Sequence, residues 1–326
     1  MTQINSIKLR YLPAANLLYR SLLALLFVLV ALSGFTQPFH PLWPEGKKPN
    51  YNGKVVTDTV YNDRIWAVGT PGFFSFLVPK EENKGAAVLI CPGGGYARLS
   101  YLYNGYNLAK WLNTQGVNAF VLLYRLPHQK DLIHRGEAPL QDAQRAMKII
   151  RSHADQWNIN PQKIGVLGSS AGGHVAGMLG TRNDDVSIIK DGIDHYPFRP
   201  DFMALISPVV TMGKYAHPGS RIHLLGADTS SQKMTEKYSN EKQVTANTPP
   251  TFIVHAYNDK TVSVQNSLML NQALIDSGVN TSLHVFPQGQ HGLNLINNPG
   301  SADLWYDLLR KWLVEMNFNE LSIKSK

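Results

Sequence analysis

The chain has 326 residues, 44% hydrophobic and 17% charged, and its 31 Lys and Arg against 23 Asp and Glu give a formal charge of +8. That composition excludes a disordered chain and provides for a sizeable core, in one large α/β domain or two ordinary ones. No cluster of five or more basic residues occurs, which argues against a nucleic-acid face or a polybasic membrane patch, and the lone Cys91 excludes an internal disulfide.

In chain order, Lys8, Arg10 and Arg20 accompany the apolar run SLLALLFVLVALSGF, and small residues follow. Residues 1–36 therefore read as a secretory signal peptide. The run is shorter than the roughly 20 residues that span a bilayer comfortably, which favours cleavage over a retained anchor, the alternative. No cysteine lies near the cleavage point for lipid attachment. Removing those three cations leaves 28 basic against 23 acidic groups. The expectation is a mildly basic, soluble mature protein, secreted or periplasmic, with no membrane partner after cleavage.

Residues 37–53 are rich in Pro, Gly and Lys and read as a surface arm. KVVTDTV, RIWAV and FFSFLVP then alternate as antiparallel edge strands. The next runs, AAVLICP, VNAFVLLYRL, KIGVLG, FMALISP, TFIVHA and TSLHVF, are short and almost wholly apolar, the pattern of strands buried on both faces. Cys91, inside the first, reads as a buried small hydrophobe. Between them lie stretches with apolar residues at spacings of three and four, the last with Ser301 as its expected N-cap. The pattern predicts a single domain over 54–318, a doubly wound, mostly parallel α/β sheet with antiparallel N-terminal edge strands. Residues 182–250, the least regular part, read as a small partial cap, and 319–326 as a C-terminal tail.

The stretch GVLGSSAGGHVAG holds five glycines in thirteen residues. A strand precedes it and a helix follows, and within it Gly168, Ser170 and Gly172 match G-x-S-x-G. On such a turn Ser170 stands as a nucleophile above a helix N-terminus that favours negative charge; the plainer reading is a glycine-rich connection. A serine hydroxyl needs a base to take its proton and an acid to orient the base. Asp259 follows the strand TFIVHA, and His291 follows TSLHVF in a glycine-bracketed loop. Both fall on the predicted face of Ser170, in the chain order Ser, acid, His. Most of the other histidines, His153, His255 and His284 among them, read as structural, and Asp228 and Asp201 are weaker acid candidates. In CPGGGY, Gly94 and Gly95 offer N–H groups for an oxyanion hole, with Ala171 supplying the N–H after the nucleophile.

PGGGY, YRL, DAQRAMKIIR, GSSAGGH, SRIHLLG, TPPTFIVHAYNDKTV and FPQGQHG, in this order, resemble the α/β-hydrolase esterases grouped with acetyl xylan esterases and related to hormone-sensitive-lipase-like carboxylesterases. The resemblance covers roughly residues 54–316. It implies that Ser170, Asp259 and His291 form a triad, with Gly94, Gly95 and Ala171 as the oxyanion hole. Pro92 stands where the lipase-like relatives have the His of HGGG, Ser169 where they commonly have Asp, and Asn104 where an acidic residue is expected. The first two departures fit the carbohydrate-esterase branch.

Arg125 and Asp142 read as a structural pair. Tyr96, Tyr101 and Tyr103 either stack on a sugar ring or close the pocket, and His174 faces either Ser170 or the core. The expected function is an exported serine esterase removing small acyl groups, above all acetyl, from plant polysaccharides such as xylan or their oligosaccharides. No cofactor and no metal are required, since H-E-x-x-H and paired Cys/His ligands are missing from the sequence. The alternatives are a general carboxylesterase or lipase for small or lipid-like esters, a prolyl-oligopeptidase-like peptidase, whose usual propeller cannot be built from about 50 residues before the core, and a non-catalytic binding protein on the hydrolase scaffold.

Overall fold

The computed structural model describes residues 37–319; the expected signal in 1–36 and tail residues 320–326 lie outside them. Four short strands open the described chain: β1 Phe39–Pro41, β2 Thr59–Tyr61, β3 Arg64–Ala67 and β4 Gly72–Phe76. The six apolar runs follow as β5 Ala87–Cys91, β6 Asn118–Leu123, β7 Ile164–Ser169, β8 Met203–Ile206, β9 Thr251–Ala256 and β10 Thr281–Phe286. Eight of these form one sheet in the order β1-β4-β6-β5-β7-β8-β9-β10, parallel from β6 to β10 and antiparallel at β1 and β4.

Helices α1 Asn107–Thr114, α2 Ala138–Ser152, α3 Ala171–Thr181, α4 Pro218–Leu225, α5 Gln232–Lys237, α6 Gln265–Asp276 and α7 Trp305–Glu315 connect or flank the strands. Alternation of side chains across the sheet divides the core in two. Leu89, Val166 and Leu205 pack with residues of α2, α3 and α6, whereas Ile90, Leu167 and Val254 pack with α1 and α7. The chain leaves β5 toward β6 through α1 and returns past β5 to β7 through α2. The order thus reverses between β5 and β7, and a crevice opens at the carboxyl ends of those two strands.

Four expectations need correction. The arm contributes β1, which pairs Phe39 with Phe74 of β4; a three-residue edge strand among prolines leaves no periodic signal. β2 and β3 pair with each other in a separate two-stranded sheet rather than joining the edge of the large one. β10 is an edge strand, partly exposed along most of its length, as its Thr, Ser and His residues permit. Ser301 lies inside a 3₁₀ turn, Gly300–Leu304, and α7 begins after it with Leu304 at the N-cap and no side-chain cap.

Candidate active site

Strand β7 ends at Ser169, and α3 begins at Ala171. Between them Ser170 takes φ 56° and ψ −124°, left-handed backbone that a non-glycine residue adopts only when its surroundings impose it. Here they do: Ser170 N–H donates to Ile206 O at 3.0 Å, and Ser170 O accepts from Val209 N–H at 2.9 Å. The motif glycines permit the close approach of elements around this turn. A Cβ on Gly168 would lie 2.2 Å from Gly172 O, and one on Gly172 would lie 2.0 Å from Cys91 O. The helix N-terminus therefore packs directly against the end of β5.

The turn carries Ser170 to His291. Ser170 Oγ is 2.9 Å from His291 Nε2, and His291 Nδ1 is 2.7 Å from Asp259 Oδ2. An ionised carboxylate only accepts, so Nδ1 bears the proton and Nε2 is left to accept from the serine hydroxyl. Asp259 is itself held: Oδ1 accepts from the N–H groups of Thr261 at 2.8 Å and Val262 at 2.9 Å. Burial alone would raise its pKa, yet the hydrogen bonds from His255 and His291 and the His291 charge prevail and hold it well below the usual carboxylate range. The loop bearing His291 is tied to the loop bearing the acid, because Gln290 N–H donates to Asn258 Oδ1 at 3.0 Å.

The glycine loop after β5 turns its carbonyls back onto its own residues. Gly93 O accepts from Ser100 N–H at 2.8 Å, and Gly94 O accepts from Ala97 and Arg98 N–H at 3.1 and 3.3 Å. Every peptide among the described residues is trans, so the N–H groups of Gly94 and Gly95 point opposite to those carbonyls. Neither they nor the N–H of Ala171 has an acceptor among the described residues. Two histidines fix the following carbonyls: His223 Nδ1–H donates to Gly95 O and His128 Nδ1–H to Tyr96 O, both at 3.0 Å. Gly94, Gly95, Ser170 and His291 line one cleft of about 370 Å³, together with Thr261 and, from the 182–250 segment, His217 and His223.

Gly94, Gly95, Ser170 and His291, four of the six residues singled out from the sequence, thus line one crevice; Ala171 directly follows Ser170, and Asp259 is hydrogen-bonded to His291. Of the residues left open, His174 faces the core: it is fully buried between Tyr96 Oη and Tyr238 O, both at 2.7 Å, and burial pushes its pKa down to about 4. Tyr96 is equally buried and serves as packing. Tyr101 packs edge-on against Tyr106, away from Ser170, whereas Tyr103 and Asn104 line the Ser170 cleft. Arg125 and Asp142 form a fully buried ion pair, and Cys91 is buried.

Sequence reasoning missed His128 and His223, which hold the glycine loop, and two further histidines at the site. His255, read as a structural strand residue, places Nε2 3.2 Å from Asp259 Oδ2 and 3.0 Å from Val262 O. Its spacing of four from Asp259 was the available signal. His217 lines the cleft, and its Nδ1 accepts Ser220 N–H at 3.1 Å, which leaves the proton of the neutral ring on Nε2. Burial, with His291 nearby, lowers its pKa and favours that neutral form. Nothing local in the sequence marks His217. Among the described residues, no group of three or more His, Cys, Asp or Glu side chains is placed to hold a metal ion.

Known proteins share this architecture. A model of the BD-FAE family matches residues 76–274. Endo-1,4-beta-xylanase B of Butyrivibrio fibrisolvens is 38% identical over 232 residues, 70% of this chain and 35% of that protein. An acetylxylan esterase of Xylanibacter ruminicola is 36% identical over 216 residues, 65% of this chain and 42% of that protein. The chain thus spans about two fifths or less of the length of these curated relatives. The crystal structure of an acetyl ester-xyloside bifunctional hydrolase from Caldicellulosiruptor lactoaceticus superposes with a TM-score of 0.75 at 32% identity, covering 88% of this chain and 99% of that one.

Proposed function

The chain belongs to the BD-FAE family and has the α/β-hydrolase fold, and from that premise we propose that it is a serine esterase that removes acetyl groups from xylan or its oligosaccharides. The observation that carries the reading is the Ser170–His291–Asp259 relay of 2.9 and 2.7 Å. Ser170 Oγ attacks the ester carbonyl carbon while His291 Nε2 takes its proton. The carbonyl oxygen becomes an oxyanion, which the N–H groups of Gly94, Gly95 and Ala171 receive. The tetrahedral adduct collapses, the bond from the acyl carbon to the sugar oxygen breaks, and His291 returns its proton to that oxygen. Water then attacks the acyl-serine with His291 again as base, releasing acetate and restoring Ser170. Asp259 keeps its charge throughout and holds the tautomer of His291.

The relatives named acetylxylan esterase and acetyl ester-xyloside bifunctional hydrolase support the acetylated xylan substrate. Acetate release from acetylated xylan, measured beside 4-nitrophenyl acetate hydrolysis, tests the reading. Wild type should cleave both, and Ser170→Ala should lose about 10⁴-fold or more on each. Cleavage of the aryl ester alone transfers the reading to a general carboxylesterase, and full activity in the variant removes Ser170 from it. The proposal includes export, carried by the basic-then-apolar pattern of residues 1–36. Protein recovered outside the cytoplasm should begin near residue 37 by N-terminal sequencing; an intact Met1 there would refute cleavage.

A further inference from the structure

A second cleft, about 670 Å³, adjoins the first and shares Tyr103 and Asn104 with it. That volume lies within the range of about 300–1,000 Å³ usual for small-molecule sites. Its position follows from a local irregularity. Before α1 the chain makes one π-helical turn, Leu102–Tyr106, seated against β6 because Gly105 has no side chain: a Cβ there would lie 2.6 Å from Val121 Cγ1. The turn sets Tyr103 and Asn104 on the boundary between the clefts. Tyr103 Oη donates to Asn294 Oδ1 across that boundary. The opposite wall is Leu293–Asn297, which directly follows His291 and Gly292.

We propose that this second cleft is a glycan subsite, holding neutral sugar units next to the one that bears the ester. The inference rests on the polysaccharide reading above. Two observations carry it. The first is direction: His291 protonates the departing alcohol oxygen, so the alcohol portion of the substrate leaves on the His291 side, and the second cleft opens two residues beyond His291. The second is lining chemistry. Trp111, Tyr306 and Tyr103 offer aromatic surface to the apolar faces of sugar rings, while Asn104, Asn107 and Asn297 bring amides that both donate and accept, as sugar hydroxyls require. Leu108, Leu293, Leu295 and Ile296 line the cleft as well, so a hydrocarbon chain is the competing occupant that the test must separate. Trp111 is braced by Trp305 and Tyr306, with ring centroids 6.3 and 6.1 Å away, so the platform is preorganised.

The test titrates xylotetraose, which carries no ester, into the full chain by calorimetry, and compares kcat/KM for acetylated xylobiose and acetylated xylotetraose. Wild type should bind xylotetraose and favour the longer ester about tenfold. Asn107→Trp fills the cleft from an exposed position on α1, and Asn297→Ala removes an amide from its rim. Both should weaken xylotetraose binding about tenfold and abolish the length preference, with 4-nitrophenyl acetate turnover within twofold of wild type. A wild type that binds no xylotetraose, or variants that bind it unchanged, would overturn the subsite even where acetylated xylan is hydrolysed. Selective loss of 4-nitrophenyl octanoate turnover in Asn107→Trp, with oligosaccharide binding intact, would assign the cleft to acyl chains and overturn it too. If wild type binds xylotetraose, the variants do not, and no acetylated xylan is hydrolysed, the subsite stands and the esterase reading on polysaccharide falls.

Discussion

Asp259 receives more hydrogen bonds than the orientation of His291 requires. Thr261 and Val262 supply backbone N–H groups to Oδ1, and His255 approaches Oδ2 beside His291. These contacts outweigh burial and keep the carboxyl ionised in the folded chain at a pH where it would already be protonated in the unfolded one. A carboxylate with a depressed folded pKa contributes stability that is complete above its unfolded pKa of about 3.9 and is lost as pH falls toward the folded value. Wild type should therefore lose stability between about pH 5 and pH 3 in part through this group. Urea midpoints at the two pH values should separate more for wild type than for Asp259→Asn, which cannot titrate there. Equal separation in the two proteins would show that Asp259 is not linked to acid unfolding.

The turn at Ser170 depends on how closely three elements approach. Gly172 brings the first turn of α3 against the last carbonyl of β5, and a methyl group there would collide with backbone rather than with a flexible side chain. Gly172→Ala should destabilise the fold by about 3 kcal/mol, the upper part of the usual cost of overpacking, visible as a lowered urea midpoint at unchanged slope. An unchanged midpoint would mean that α3 shifts freely and that the glycine is not needed for packing. Such a constraint was legible beforehand because local sequence encodes it: an apolar run, a glycine-rich turn and a helix in succession. The triad was legible for the same reason, since Asp259 and His291 each follow an apolar strand at one end of the sheet. Apart from His255, what escaped notice has no local code. β1 is three residues held by pairing with β4. The π turn at Leu102–Tyr106 depends on contact with β6. His128, His217 and His223 reach the site from loops and a short helix whose positions are set by tertiary packing alone.

The described chain from Phe39 onward is also closed at a point far from the chemistry. Arg125, at the end of β6, donates from Nε and Nη2 to Asp142 of α2 at 2.8–3.1 Å, and from Nη1 to Pro49 O at 2.7 Å. Trp43 Nε1–H donates to the same carboxylate at 2.8 Å. Arg145 of α2 donates to Leu42 O at 3.0 Å, with its guanidinium 5.3 Å from the Trp43 ring. Residues 42–49, read from composition as a surface arm, are thus fastened to the sheet and to α2, with Lys48–Asp131 beside one buried charge pair at the centre of the contacts. Such a pair is costly to half-remove, because the surviving charge stays buried without its partner. Asp142→Ala should cost about 3–5 kcal/mol and expose the 42–49 segment to limited proteolysis. Replacing both charges, as Arg125→Met with Asp142→Leu, leaves no orphaned ion, and its urea midpoint should recover part of the loss. The double variant should still leave Pro49 O and Trp43 Nε1 without their partners, so proteolysis near residue 49 should stay faster than in wild type while global stability recovers. If stability and protease resistance instead move together in every variant, the segment unfolds only with the whole domain, and the charge pair is part of the global core rather than a local fastening.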